Sequence, residues 1–373
     1  MEVAKILSRV YFASIRARSY QENKQNKIQR LFDAAGLREV VHKGDLTAIK
    51  IHFGEKGNDS YVNPVFVRPI ADRVKSLGAK PFLTDTNTLY GGSRANAVDH
   101  LETAAEHGFG RAVAGAPVVI ADGLKSDNCR EVQIDKKHFQ RVSIAGEVAS
   151  ADSLIVVSHF KAHLPAGFGG AIKNLGMGCA TAQGKAEQHS AKPAFNAELC
   201  LGCMGCQDNC PNQAITVEKR ITVVDYDLCT GCGKCLRVCP SHALDFNWFV
   251  EVPPFMERIT EYALGAVAGK ENRAGFFNFL LNITPDCDCV PWSDAPVVPD
   301  IGILASRDPV AIDRASYDLV NRQMGLSNSL LKRNHEPGKD KFLGVWENTL
   351  GNIQLDYGAE IGLGNKEYEL IEV

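Results

Sequence analysis

The chain has 373 residues, a net charge of −3 and 45% hydrophobic residues, which is ordinary globular composition with room for two or three domains. No Lys/Arg run points to nucleic acid, and no apolar stretch approaches the ~18–20 residues that a membrane span needs. The start, MEVAKILSRVYFASIRARSY, carries Glu2 and Lys5 and lacks an apolar run before a small-residue cleavage site, so it does not read as a secretory leader.

Taken in order, Lys5 to Phe12 reads as a strand and Gln21 to Ala35 as a helix that stops at Gly36. Thr47 to Phe53 is a short apolar strand entering the loop GEKGNDS. A helix follows over Pro64 to Leu77, with Pro64 at its first position and Gly78 at its exit. Lys80 to Thr84 is a strand, Ala95 to His107 a helix, and Ala116 to Asp122 and Ser153 to Phe160 are two more apolar strands.

Cys200 to Cys239 breaks this rhythm. It consists of CLGCMGCQDNCP and CTGCGKCLRVCP, which repeat at a spacing of 29 residues. Each half is C-x₂-C-x₂-C-x₃-C-P, the run of bacterial two-cluster ferredoxins, in which the fourth cysteine ligates the other cluster. The spacing therefore assigns Cys200, Cys203, Cys206 and Cys239 to one 4Fe-4S cluster, and Cys229, Cys232, Cys235 and Cys210 to a second. Zinc ribbons use paired knuckles across a longer loop, and disulfides need an oxidising compartment, so both alternatives fit less well. Eight of twelve cysteines devoted to iron imply a reducing, cytoplasmic setting.

The earlier pattern then resumes: a helix over Pro254 to Ala268, strands over Gly275 to Ile283 and Asp300 to Ser306, and a helix from Asp308 to Met324. Asp308 reads as its N-cap and Pro309 as its first residue, whereas Lys339 to Val373 is hard to read. The expected fold is an α/β domain with a mostly parallel sheet, in two sequence segments (1–194 and 247–373), with an inserted α+β two-cluster ferredoxin-like domain at 195–246. Ligands in such sheets sit beyond the carboxyl ends of the strands.

Three loops at those ends carry chemistry. If the chain stays extended, His159, Lys161 and His163 share one face, as base, cation for an anionic substrate, or metal ligand; the alternative is two histidines that cap the strand. Downstream, Gly167, Gly169 and Gly170 precede Lys173 and Asn174, and would let backbone N–H groups approach an anion, unless the glycines only make a packing turn. His52 with Glu55 forms a candidate acid–base pair, with Asp85 placed similarly. Lys185 and His189 could line a path from the clusters to the α/β site. Cys287 and Cys289 would aim both thiols to one side and Asp286 and Asp288 to the other; a soft metal could use the pair, although buried free cysteines more often act as small hydrophobes.

HFGEKGN, TDTNTLYGG, SHFKAHLPAGFGGAIKNLGMG, GKAEQHSAKP, the double cysteine motif and GILASRDPVAID together resemble the domain of unknown function 362 family, across nearly the whole chain. Members of that family are often described as iron–sulfur proteins, and the resemblance carries a role only for the eight cysteines. The G-x-x-K loop after a His-containing segment also loosely resembles nickel-dependent lactate racemases. The expected function is electron transfer through two 4Fe-4S clusters to or from a small-molecule redox site in the α/β domain, as an iron–sulfur oxidoreductase with a redox protein partner. The alternatives are a non-enzymatic carrier or scaffold, and a metal-dependent isomerase or racemase with structural clusters. An additional metal or an anionic ligand would complete the second site.

Overall fold

A computed structural model describes residues 7–190, 192–229, 233–246 and 251–373. Eight strands form one sheet: β1 (Ser8–Ser14), β2 (Leu46–Ile51), β3 (Lys80–Asp85), β4 (Val118–Ile120), β5 (Ser153–His159), β6 (Ala274–Leu280), β7 (Gly302–Ser306) and β8 (Tyr368–Glu372). Their order is β8-β1-β7-β6-β5-β2-β3-β4, and only β7 runs against its neighbours. The α/β expectation holds at this level. The C-terminal stretch that was hard to read supplies the edge strand β8, parallel to β1.

The central strands β5, β6 and β7 are buried throughout, and successive side chains enter opposite layers as a sheet covered on both faces requires. Leu154 and Val156 of β5 face one apolar layer with Phe276 of β6 and Leu304 of β7. Ile155 and Val157 face the other, with Phe277, Phe279 and Ile303. The first layer is closed by helices Val252–Val267 and Pro309–Asn321, the second by Lys24–Ala34 and Pro64–Ser76. Helix starts follow the sequence signals: Asp308 caps Pro309–Asn321 by accepting from Val310 and Ala311 N–H at 2.9 Å each. The first strand begins later than expected among the described residues, and the cysteine at 232 lies outside them, as does the expected boundary at 247.

Between Pro193 and Phe246 the chain leaves the sheet and folds on itself. Pro193–Phe195 pairs with Leu244–Phe246, and Ile215–Glu218 pairs with Ile221–Val224, both antiparallel. Two one-turn helices, Gly205–Asp208 and Lys234–Arg237, repeat at the 29-residue spacing of the cysteines. So do the left-handed residues, Met204 (φ +62°) with Gly233 (φ +68°) and Gln213 (φ +54°) with His242 (φ +52°). The outer strands of one half pair with strands of the other, so each half is completed by its partner.

Candidate functional site

A cavity of about 250 Å³ opens beyond the carboxyl ends of β2, β3, β5 and β6. Each strand delivers side chains as it runs out: His52 after β2, Asp85 at the end of β3, Ser158 and His159 at the end of β5, and Cys287 and Cys289 after β6. Lys161, His163, Lys173, Lys185 and Arg94 make the wall strongly basic. His159, Lys161 and His163 all reach this cavity, although the strand breaks at Phe160 and resumes at Lys161–His163.

Asp288 is the hub on one side. Its carboxylate accepts from His159 Nδ1 at 2.8 Å and Ser60 Oγ at 3.0 Å, and pairs with the Lys161 ammonium at 3.0 Å. Burial works to raise the Asp288 carboxyl, but His159 and Lys161 overrule it and hold it below the usual carboxylate range. The other nitrogen of His159 faces the carbonyls of Leu281 and Asn282 at 3.0 and 2.9 Å. Both ring nitrogens of His159 are thus engaged, and the residue anchors the Asp288 turn, in line with the strand-capping alternative.

The opposite wall is built on Asp85 and Arg94. Lys50 Nζ lies 2.9 Å from Asp85, and Arg94 lies 3.7 Å from it. Arg94 donates to Glu55 at 3.1 Å, to Tyr90 OH at 2.7 Å, and contacts His52 Nε2 at 3.2 Å. Glu55 also accepts from Ser93 N–H at 2.6 Å. His52 and Glu55 therefore meet through Arg94 and do not form an acid–base pair; Glu55 holds Arg94 and stays off the cavity wall. Burial and Arg94 push the His52 imidazole down to about 3, so it stays neutral at physiological pH.

The glycine-rich loop also differs from expectation. The first amides of helix Ala171–Gly176 are already filled: Asp313 accepts from Ala171 N–H at 2.7 Å and Ile172 N–H at 2.9 Å. A Cβ at Gly170 would stand 2.3 Å from that carboxylate, so glycine here makes room for a protein anion rather than a ligand. Gly167 (φ +74°) packs against the backbone of Gly351 and is a packing turn away from the cavity. Gly169 and Gly170 do line the cavity, Gly169 between the stems of Lys161 and Lys173. Asn174 lines it too, but accepts from Lys50 at 2.6 Å and donates to Val157 O and Ser158 Oγ at 3.0 Å each, which ties its helix to β5. Lys173 extends to 3.7 Å from the Cys287 sulfur.

Both thiols of Cys287 and Cys289 turn into the cavity, and His163 joins them; the three donor atoms lie within 4.8 Å of one another. The hydrogen bond from Cys289 holds the Cys287 thiol well below its ordinary range, helped by Lys173 and Lys161. Burial and Lys173 push His163 down to about 4. Lys185 donates to Thr86 Oγ1 at 2.6 Å and to Asn87 O, and burial brings it down to about 8.

Arg94, Tyr90 and Asp313 were not singled out, and Asp288 was named only for the side it would face. Asp288 had a signal, since it stands between the two cysteines of C-x-C; Asp313 had none, because it lies on a helix far from the loop it caps.

The cysteine-rich segment is joined to this cavity at both ends. His189 and Phe255 line the cavity and touch, with ring centroids 4.6 Å apart. The chain enters the segment just after His189 and returns just before Phe255. Within the segment, Cys200, Cys203, Cys206 and Cys239 line one small pocket. Ala214 N–H donates to Cys210 Sγ and Ala243 N–H to Cys239 Sγ, each at 3.2 Å and again 29 residues apart. Several cysteines are thus placed where they could bind metal.

A profile of the family described as a domain of unknown function (DUF362) matches residues 47–318. The chain belongs to that family. No curated protein matches it. Among solved structures it is similar to the lactate racemase apoprotein from Thermoanaerobacterium thermosaccharolyticum, with 16% identity and a TM-score of 0.38, covering 74% of this chain and 51% of that one. It is also similar to a structural-genomics protein from Thermotoga maritima, with 8% identity and a TM-score of 0.34, covering 76% of this chain and 55% of that one. The chain spans about half the length of these structures. Among the described residues no helix is long and apolar enough to cross a membrane.

Proposed function

We propose that this DUF362 member is an iron–sulfur protein that moves electrons through two 4Fe-4S clusters to or from an anionic small molecule bound in the basic cavity. The supporting observation is the pocket shared by Cys200, Cys203, Cys206 and Cys239, the four cysteines that the motif assigns to one cluster. Three come from the first half of the repeat and the fourth from the second, as the exchanged strand pairing allows. The residues fit the group: backbone N–H groups aim at sulfur, and two of the four side chains in the segment's buried cluster are cysteines. Of the second set, Cys210, Cys229 and Cys235 are among the described residues and Cys232 is not. When bound, such clusters supply one-electron storage at a potential set by their surroundings.

The rest falls to this chain's own residues. Lys161, Lys173, Lys185 and Arg94 supply cations to bind and orient an anion at the strand ends. Exposed Leu201 and Met204 at the rim of the cysteine pocket suit a transient redox partner. The junction at His189 and Phe255 puts the segment beside the cavity instead of at the far end of the sheet.

The test is anaerobic. Protein purified without oxygen is reduced, and the small molecule that co-purifies is identified by mass spectrometry and added back. The proposal expects that compound to reoxidise the protein and Lys173→Met to slow this at least tenfold with iron content unchanged. Equal rates in the variant would make the α/β body a docking scaffold for a carrier.

A further inference from the structure

The thiols of Cys287 and Cys289 face the same cavity as His163. We infer that His163, Cys287 and Cys289 form a metal centre, for a borderline divalent cation of the zinc type, with its fourth position open to the cavity. The inference rests on the cavity being the ligand site, and is independent of what the Cys200–Cys239 motif binds.

Four observations carry it. The donor set is two sulfurs and one imidazole nitrogen, all within 4.8 Å of one another. A tetrahedral ion with bonds of ~2.0–2.3 Å needs ligands only a little closer than that. The sulfurs are fixed by their backbone: Val290 N–H donates to Cys287 O at 3.1 Å to close a turn, and Asp288 between them is anchored by His159, Lys161 and Ser60. Such anchoring is what preserves a metal site's geometry before the ion arrives. Charge is provided for, since Lys173 lies 3.7 Å from Cys287 Sγ and supports the thiolate form. Finally, His163 is held on both sides: Ala166 N–H donates to its Nδ1 at 3.2 Å, and the ring also hydrogen-bonds with Cys287, so it already faces the thiols.

Three protein ligands with the remaining position facing a ligand cavity is the arrangement of catalytic, not structural, zinc sites, where the ion polarises a carbonyl or activates water. Thiolates select soft and borderline ions over magnesium or calcium. The cavity's lysines would then hold the anionic end of a substrate whose oxygen meets the ion.

The experiment uses the full chain, anaerobically loaded with iron and sulfide, dialysed against zinc(II) and analysed for both metals. The expected result is one zinc per chain beyond the iron. Cys287→Ser with Cys289→Ser abolishes that zinc, and His163→Gln weakens it at least tenfold, with iron unchanged. Cys203→Ala lowers iron and keeps the zinc, which separates this inference from the cluster reading. Unfolding midpoints confirm that each variant is folded, and the His163→Gln variant, which keeps the turn intact, serves if the double variant is not. Zinc that persists in the double variant, or that disappears with Cys203→Ala, overturns the assignment. So does the absence of zinc in the parent protein.

Discussion

In the α/β body, β5 alternates Leu154 and Val156 into one layer with Ile155 and Val157 into the other, and helices close both faces. In residues 193–246 the buried apolar cluster among the described residues is Cys206, Ile215, Cys235 and Leu244. The body is packed around two large apolar layers, whereas the segment's buried cluster is four side chains, two of them cysteines, with Phe195, Val217, Val224 and Leu236 partly buried around it. A unit that small is normally stabilised by cross-links or metal. The two regions should therefore respond differently to the same insults.

The largest effect is expected from removing segment ligands. Cys203→Ser with Cys235→Ser should speed amide hydrogen exchange across 205–246 by orders of magnitude, since metal binding in such a unit is folding free energy. Amides of β5 and β6 should exchange as before. If the segment keeps its protection without its ligands, the contrast between the regions is lost.

A buried polar contact in the body should matter next. Asp313→Ala leaves the Ala171 and Ile172 amides without their acceptor and Asn278 Nδ2 with Ser316 Oγ alone, at a cost of about 3 kcal/mol read from the denaturant midpoint. The segment's metal content should not change. A loss below about 1 kcal/mol would show that water replaces the carboxylate.

The cavity's charge comes third. Lys173→Met should weaken binding of an anion by about tenfold, near 1.4 kcal/mol, by isothermal titration with folding unchanged. The smallest effect is in pH. Lys185 sits at about 8, below its ordinary 10.5, so it is cationic at pH 7 and neutral by pH 9. Anion affinity should fall a few-fold across that interval and become flat in Lys185→Met. The sign for stability is the reverse. The unfolded chain holds this proton more tightly, so the group's penalty on folding is full below about 8 and vanishes as pH rises past 10.5.

How much of this was legible depended on whether the signal was local. Helix Pro64–Ser76 and Asp308's cap follow from proline and capping chemistry within a few residues. The cavity's place follows from apolar runs that end in polar loops, and His159, Lys161, His163, Lys173 and His52 all reach it. What each does there depends on partners far along the chain. His159 is engaged by Asp288, the helix at Ala171 by Asp313, and Glu55 by Arg94, contacts that residue spacing cannot reveal. Strand β8 was illegible for a related reason, because its half-exposed residues pair with β1 from the other end of the chain. The cysteine repeat was legible because its residues sit at fixed local intervals.

The central claim is that the duplicated cysteine segment holds redox-active iron beside the basic cavity. Anaerobic iron and sulfide quantitation joined to EPR of the reduced chain tests it directly. The account predicts about eight irons per chain and paramagnetic signals from two reduced 4Fe-4S clusters. Fewer than about six irons after careful reconstitution, or EPR-silent zinc at those cysteines, would contradict it.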